Sequence, residues 1–339
     1  MMRKAQKIMV VFTIILALMF AYSINVKAAT MSNLEEWNVA TRDGNIYTLN
    51  ESEDEIKQDI VVQSGENAFL DLNGQTLTNF TDGCATITIE EGGTLTIMGT
   101  GTITNTSSNN VPTITNNGDL IIVNGNVTSN NTDYATCILN NGYVRITGGT
   151  ITTTTQNCWG LTNSGTAEIV GGTFKQEGNF SVIMNAGDMT ISGGNIEVTS
   201  GYSAITNEST DGTSASLKIT DVTVTGAKYI ISNPEGESVV VTGGNYGTDS
   251  NISDYLDESY VIDENGNVTE APETTNPVPE EPTEDPDKDA SEEPVQGNDN
   301  ETTEKDETPK TGVVSYLGVA VLATIISTIA IISLKKKNS

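Results

Sequence analysis

The chain contains no histidine, only three cysteines and 5% aromatic residues. Without His, neither Ser/His/Asp nor Cys/His nucleophilic triads can form, and His-ligated metal centres are excluded with them. Basic residues are also scarce, with 16 Lys plus Arg against 45 Asp plus Glu and a formal net charge of −29. A phosphate backbone is bound through basic patches, so nucleic acid is ruled out as a partner. What the chain does have is glycine, at 32 positions, and clear differences between its ends and its middle.

Residues 1–28 carry Arg3, Lys4 and Lys7, an apolar run from Ile8 to Tyr22, and small residues at Val26 and Ala28. That order is the pattern of a secretory signal peptide. At the other end, Val313 to Leu334 is free of charge and is followed by Lys335, Lys336 and Lys337. A helix of that length, about 33 Å, crosses the ~30 Å hydrocarbon core, and the lysines would stay cytoplasmic. Directly before it stand Thr308, Pro309, Lys310, Thr311 and Gly312.

Pro-x-Thr-Gly, an apolar span and a basic tail, in that order, resemble the sorting signal of sortase-anchored Gram-positive cell-wall surface proteins. The resemblance implies that a sortase cuts between Thr311 and Gly312 and joins Thr311 covalently to peptidoglycan. Residues 312–339 would then be discarded, and the protein would be secreted, membrane-tethered before processing and wall-anchored after it. Thr308 departs from the family, where Leu is commonest. Removing both ends takes away seven basic residues and no acidic one, so residues 29–311 carry 9 basic against 45 acidic side chains, a net charge of −36.

Residues 269–311 hold seven of the nine prolines, 15 acids and three lysines. Such a composition cannot bury a core and reads as a disordered acidic stalk, with a reach of about 130 Å if extended. Within it Asp285, Asp287 and Asp289 imitate the start of a calcium loop, but Ala290 and Gln296 stand where Gly and Glu are needed.

The middle of the chain repeats every 22–26 residues. One apolar column runs through Ile89, Ile114, Ile138, Leu161, Ile183, Ile205 and Ile231. A second takes Ile97, Ile122, Ile146, Ile169, Ile191, Ile219 and Val241, and a third Ile103, Val127, Ile151, Phe174, Ile196, Val224 and Tyr246. Three columns per repeat, in units dense in Thr, Val, Ile and Gly, predict three short strands per coil of a parallel β-helix. An antiparallel sandwich would also have short strands and frequent turns, but not such regular columns. Two residues after the first column stand Asn116, Asn140, Asn163, Asn185, Asn207 and Asn233, a register suited to a structural ladder of stacked amides.

The text DLNGQTLT at 71–78, GGTLTI at 92–97 and ITGGT at 146–150 resembles pectate-lyase-like right-handed β-helix repeats. The expected organisation is therefore all-β. After the signal peptide come an N-terminal cap and first strand at 29–66, with Leu34 and Trp37 covering the first coil, and the repeats at 67–247. A C-terminal cap follows at 248–268, with Tyr255, Leu256 and Tyr260 over the last coil, then the stalk at 269–311 and the sorting signal with its anchor helix at 312–339.

Many proteins of that resembled fold cleave acidic polysaccharides, which makes a surface-bound lyase or glycoside hydrolase the second functional class. Such chemistry usually employs an Arg or Lys base with calcium, or clustered carboxylates. Between the ends there are two arginines, Arg42 and Arg145; Arg145 and Glu168 occupy equivalent positions on adjacent coils and read as a cross-strand ion pair. Cys137 and Cys158 are offset by two residues on neighbouring coils, about 8 Å apart between Cα atoms, and read as small buried thiols. No cofactor, metal or catalytic residue is assigned. The reading is a non-catalytic adhesin or surface-coat module whose partners are the sortase, peptidoglycan, and a glycan or host-surface protein, with Thr152 to Thr155 as plausible contact surface.

Overall fold

A computed structural model describes residues 29–272, apart from 108–109, 131–134, 156, 200–202, 211–213 and 248–250. The sorting motif Thr308 to Gly312, the signal peptide and the anchor helix lie outside the described residues. Among the described residues, no helix is long and apolar enough to cross a membrane.

Almost every element is a short strand, and the strands wind into a parallel β-solenoid of about eight turns. The first face is a nine-stranded sheet built from one strand of each coil, with the order rising monotonically along the chain. Strands of the second and third faces belong to one continuous sheet, because Asp188–Val198 spans both faces and bends between them with register shifts at Ile191 and Ser192. Each coil thus contributes residues such as Ile114–Asn116, Asp119–Ile122 and Asn126–Ser129, and each strand pairs in parallel with its counterpart one coil on. Among the described strands of the repeating coils the ladder bonds run between coils along the solenoid axis, and stacking is what satisfies the backbone; the exception in the first coil is the antiparallel hairpin Ala40–Asp43 with Ile46–Leu49.

Side chains alternate in and out along each short strand, so the inward positions form columns. The second column, Ile97 through Val241, and the third, Ile103 through Val224, pair in register and are at most 3% exposed. In the first column Ile114, Ile138, Leu161, Ile183, Ile205 and Ile231 pair in succession. Ile89 does not belong there. Ile114 pairs with Ile87, and Ile89 pairs with Asn116, so that slot is apolar in the first coils, as Val62 and Ile89, and becomes Asn from coil to coil afterwards. The corner between 105 and 114 is long, which makes the true interval 27 residues, two more than the Ile89 to Ile114 spacing.

A similar displacement affects Thr153. It pairs with Ser129 and Gln176, is fully buried, and belongs to a second inward polar column with Asn79 and Asn105. Of the polar run at 152–155, Thr152 is the strand residue that faces out.

Residues 29–66, expected as a cap and first strand, hold both solenoid strands and a capping helix. Ala29–Thr30 pairs in parallel with Ile60 and Val61, and Ile46–Leu49 pairs in parallel with Asn67–Asp71. Capping falls to the one-and-a-half-turn helix Met31–Glu36, whose Met31 and Leu34 are fully buried, whereas Trp37 is 39% exposed. At the far end the 3-10 helix Asn251–Tyr255 buries Ile252, and Tyr255, Leu256, Tyr260 and Ile262 pack against the core. Asn251 also serves the open sheet edge: its Oδ1 accepts from the Ile230 amide (3.0 Å) and its Nδ2 donates to the Ile231 carbonyl (2.7 Å). One side-chain amide replaces the missing next strand, which blunts an otherwise exposed edge. An antiparallel hairpin, Tyr260–Ile262 with Val268–Glu270, completes this end and runs two residues past 268.

Candidate functional site

The interior ladder begins where Ile89 gives way to Asn116. Asn116, Asn140, Asn163 and Asn185 each end a first-face strand and open a turn of the form Asn-x-Gly, at 116–118, 140–142, 163–165 and 185–187. Within the turn the amide folds back on its own loop, with Asn140 Nδ2 donating to the Gly142 carbonyl (3.1 Å) and Asn185 Nδ2 to that of Gly187 (3.0 Å). A Cβ on Gly165 would collide with the Gly142 carbonyl oxygen one coil below, so the turns stack only with glycine there.

Between coils the amides form a directional chain. Asn116 Nδ2 donates to Asn140 Oδ1 (2.6 Å), Asn140 to Asn163 (2.7 Å), Asn163 to Asn185 (2.8 Å) and Asn185 to Asn207 (2.7 Å). The last step, to Asn233, stretches to 3.5 Å, and there Asn233 donates instead to the Glu237 carbonyl (2.9 Å). Because every rung donates forward, the first rung lacks a donor: Asn116 Oδ1 is buried and receives no hydrogen bond, its neighbour in register being Ile89. The ladder is fully interior, with Asn116 through Asn207 at 0% exposure, so its work is structural.

On the second face Arg145 and Glu168 pair in register and form an ion pair. Tyr143 stands beside them; burial first, and the Glu168 charge with it, raise its hydroxyl above the usual tyrosine range, while Arg145 lowers it. Lys175 and Glu197 repeat the arrangement on the third face at 3.0 Å. Cys137 and Cys158 are both fully buried and outside any disulfide, and burial, together with Cys158, pushes the Cys137 thiol up.

Concavities open on the surface formed by the described residues. One, of about 390 Å³, lies against Trp37, Glu53 and Ile56 at the first coil. Another, of about 270 Å³, lies on the first face and is floored by aromatic rings: Trp159 and Phe180 stack with centroids 4.6 Å apart and planes inclined by 14°. Trp159 opens the strand Trp159–Asn163, while Phe180 comes from the corner before Ile183–Asn185. Sequence reasoning missed this pair, whose partners meet only because one coil stacks on the next. The available signal was the rarity of tryptophan, with two in the whole chain.

No protein-family model, curated protein or solved structure matches this chain.

Proposed function

We propose that this is a non-catalytic surface protein, secreted and anchored to the cell wall through Thr311, that presents its solenoid as an adhesin or surface-coat module. The observation that carries the reading is the uninterrupted solenoid, a self-stacking scaffold with long outward faces on which many weak contacts can add. In sequence it is followed by an acidic Pro-rich segment and the Thr308 to Gly312 motif, an order suited to display. Arg145, which the enzymatic reading would enlist as a base, is held by Glu168 in an ion pair that accounts for both charges.

Anchoring is tested by mass spectrometry of muramidase-released protein, which should find chains ending at Thr311 with a wall fragment attached. Recovery of intact chains ending at Ser339 from the membrane would defeat it. Catalysis is tested by incubating the full-length chain with polyuronates, with and without calcium, and following the absorbance of unsaturated product. Turnover that vanishes in Arg145→Ala would replace the adhesin reading with that of a lyase.

A further inference from the structure

From the stacked pair Trp159 and Phe180 and the polar groups around it, we infer that the first face carries a binding subsite for a neutral oligosaccharide. This rests on the surface-module reading and gives that module a specific ligand chemistry. The groove follows the solenoid axis. Met184, Thr206 and Ser232 are the outward residues of three successive first-face strands and pair in register. With Trp159 one coil earlier, the lining spans four coils, a length of about 14 Å at the ~4.8 Å strand spacing.

The lining chemistry selects the ligand. Flat aromatic surface accepts the apolar C–H face of a sugar ring, and Trp and Phe provide large contact area at little conformational cost. Around the rings, Asn179, Thr206 and Ser232 bring amide and hydroxyl groups able both to donate and to accept, which is what sugar hydroxyls require. Among the described residues, the lining includes one charged side chain, the carboxylate of Glu208, and no Lys or Arg. A uronate or sulfate there would meet a like charge with no counterion, so anionic sugars are disfavoured while neutral ones are not. A single carboxylate also falls short of the pair that glycoside hydrolysis ordinarily uses, so the groove fits binding rather than cleavage.

Because the chain has two tryptophans, Trp37→Phe leaves Trp159 as the sole indole reporter inside the groove. The full-length Trp37→Phe protein is titrated with cellotetraose, chitotetraose and tetragalacturonate while Trp159 emission is followed. The expected result is a saturable change with a neutral tetrasaccharide and none with tetragalacturonate. Adding Phe180→Ala should weaken the neutral sugar about tenfold, the loss of one aromatic contact. Thr206→Arg, an outward change that obstructs the groove, should abolish binding while thermal melting stays that of the parent, which covers the case in which the aromatic variant misfolds. Silence of Trp159 toward both neutral sugars overturns the subsite, and an equal response to tetragalacturonate overturns its neutral character. Glycan-array binding that survives Thr206→Arg sinks the groove but leaves the surface module standing, whereas polyuronate turnover sinks the module whatever the groove does.

Discussion

The cost of removing an Asn from the ladder should depend on where in the ladder it sits. Asn163→Leu removes four hydrogen bonds: donations to the Gly165 carbonyl (3.2 Å), Asn185 Oδ1 (2.8 Å) and the Asp188 carbonyl (3.2 Å), and acceptance from Asn140 (2.7 Å). It also leaves Asn185 Oδ1 buried without its ladder donor, holding only the long contact from the Gly187 amide (3.4 Å). At about 1 kcal/mol net per bond and about 1 kcal/mol for an acceptor left with one long contact, the gross loss is about 5 kcal/mol, reduced by about 2 kcal/mol for burying leucine. Asn116→Leu removes only the donations to Asn140 Oδ1 (2.6 Å) and the Tyr143 carbonyl (2.8 Å). It orphans Asn140 Oδ1 but deletes Asn116 Oδ1, which is already orphaned, so the number of buried unpaired acceptors does not change. The new leucine would sit against Ile89, its apolar neighbour in register. The two bonds and the apolar gain nearly cancel, and Asn116→Leu should cost under about 1 kcal/mol against about 3 kcal/mol for Asn163→Leu. Urea titrations followed by far-ultraviolet circular dichroism would measure both. Equal losses at the two positions would refute a directional ladder with an unpaired first rung.

Three further outcomes follow from the same geometry. Ile169→Asp buries an unpaired carboxylate in the second column and should prevent folding, whereas Thr152→Asp on the outward side should leave the melting temperature within a few degrees; equal tolerance would dismiss the assigned register. The Cys137 thiol, fully buried and pushed up by that burial, should be silent to aromatic disulfide reagents until denaturant is added, and rapid labelling of the native chain would contradict its placement. In the C-terminal hairpin, hydrogen bonds from the Asn267 side chain and backbone and the Asn265 amide hold the Asp263 carboxyl below its ordinary value of 3.8. A lowered folded-state pKa means that the stabilisation is complete above the unfolded value and is lost as pH falls through the folded one, so amide protection in Tyr260–Ile262, taken relative to the intrinsic exchange rate at each pH, should fall in acid below about pH 4. Asp263→Asn should remove that pH dependence, and its persistence would point to another group.

Sequence alone determined the architecture, because a solenoid repeats one local solution. Inward aliphatics must recur at nearly constant spacing for coils to stack, so the second and third columns and six first-column members were legible from Ile97 to Val241. The amides of Asn116 to Asn233 were legible for the same reason, since a buried polar side chain is tolerated only when the coils above and below supply its partners. What required the tertiary structure lies at corners and ends. A corner of variable length decides which of two inward slots the next residue enters, which is how Ile89 came to pair with Asn116. Thr153 looks like its polar neighbours, and only the alternation of its strand turns it inward beside Ser129 and Gln176. Asn251 blunts a sheet edge 20 residues before it, and Trp159 meets Phe180 across two coils. Neither Asn251 nor the Trp159 and Phe180 pair repeats, so no periodicity announces them, and stacking of the coils alone brings the partners together.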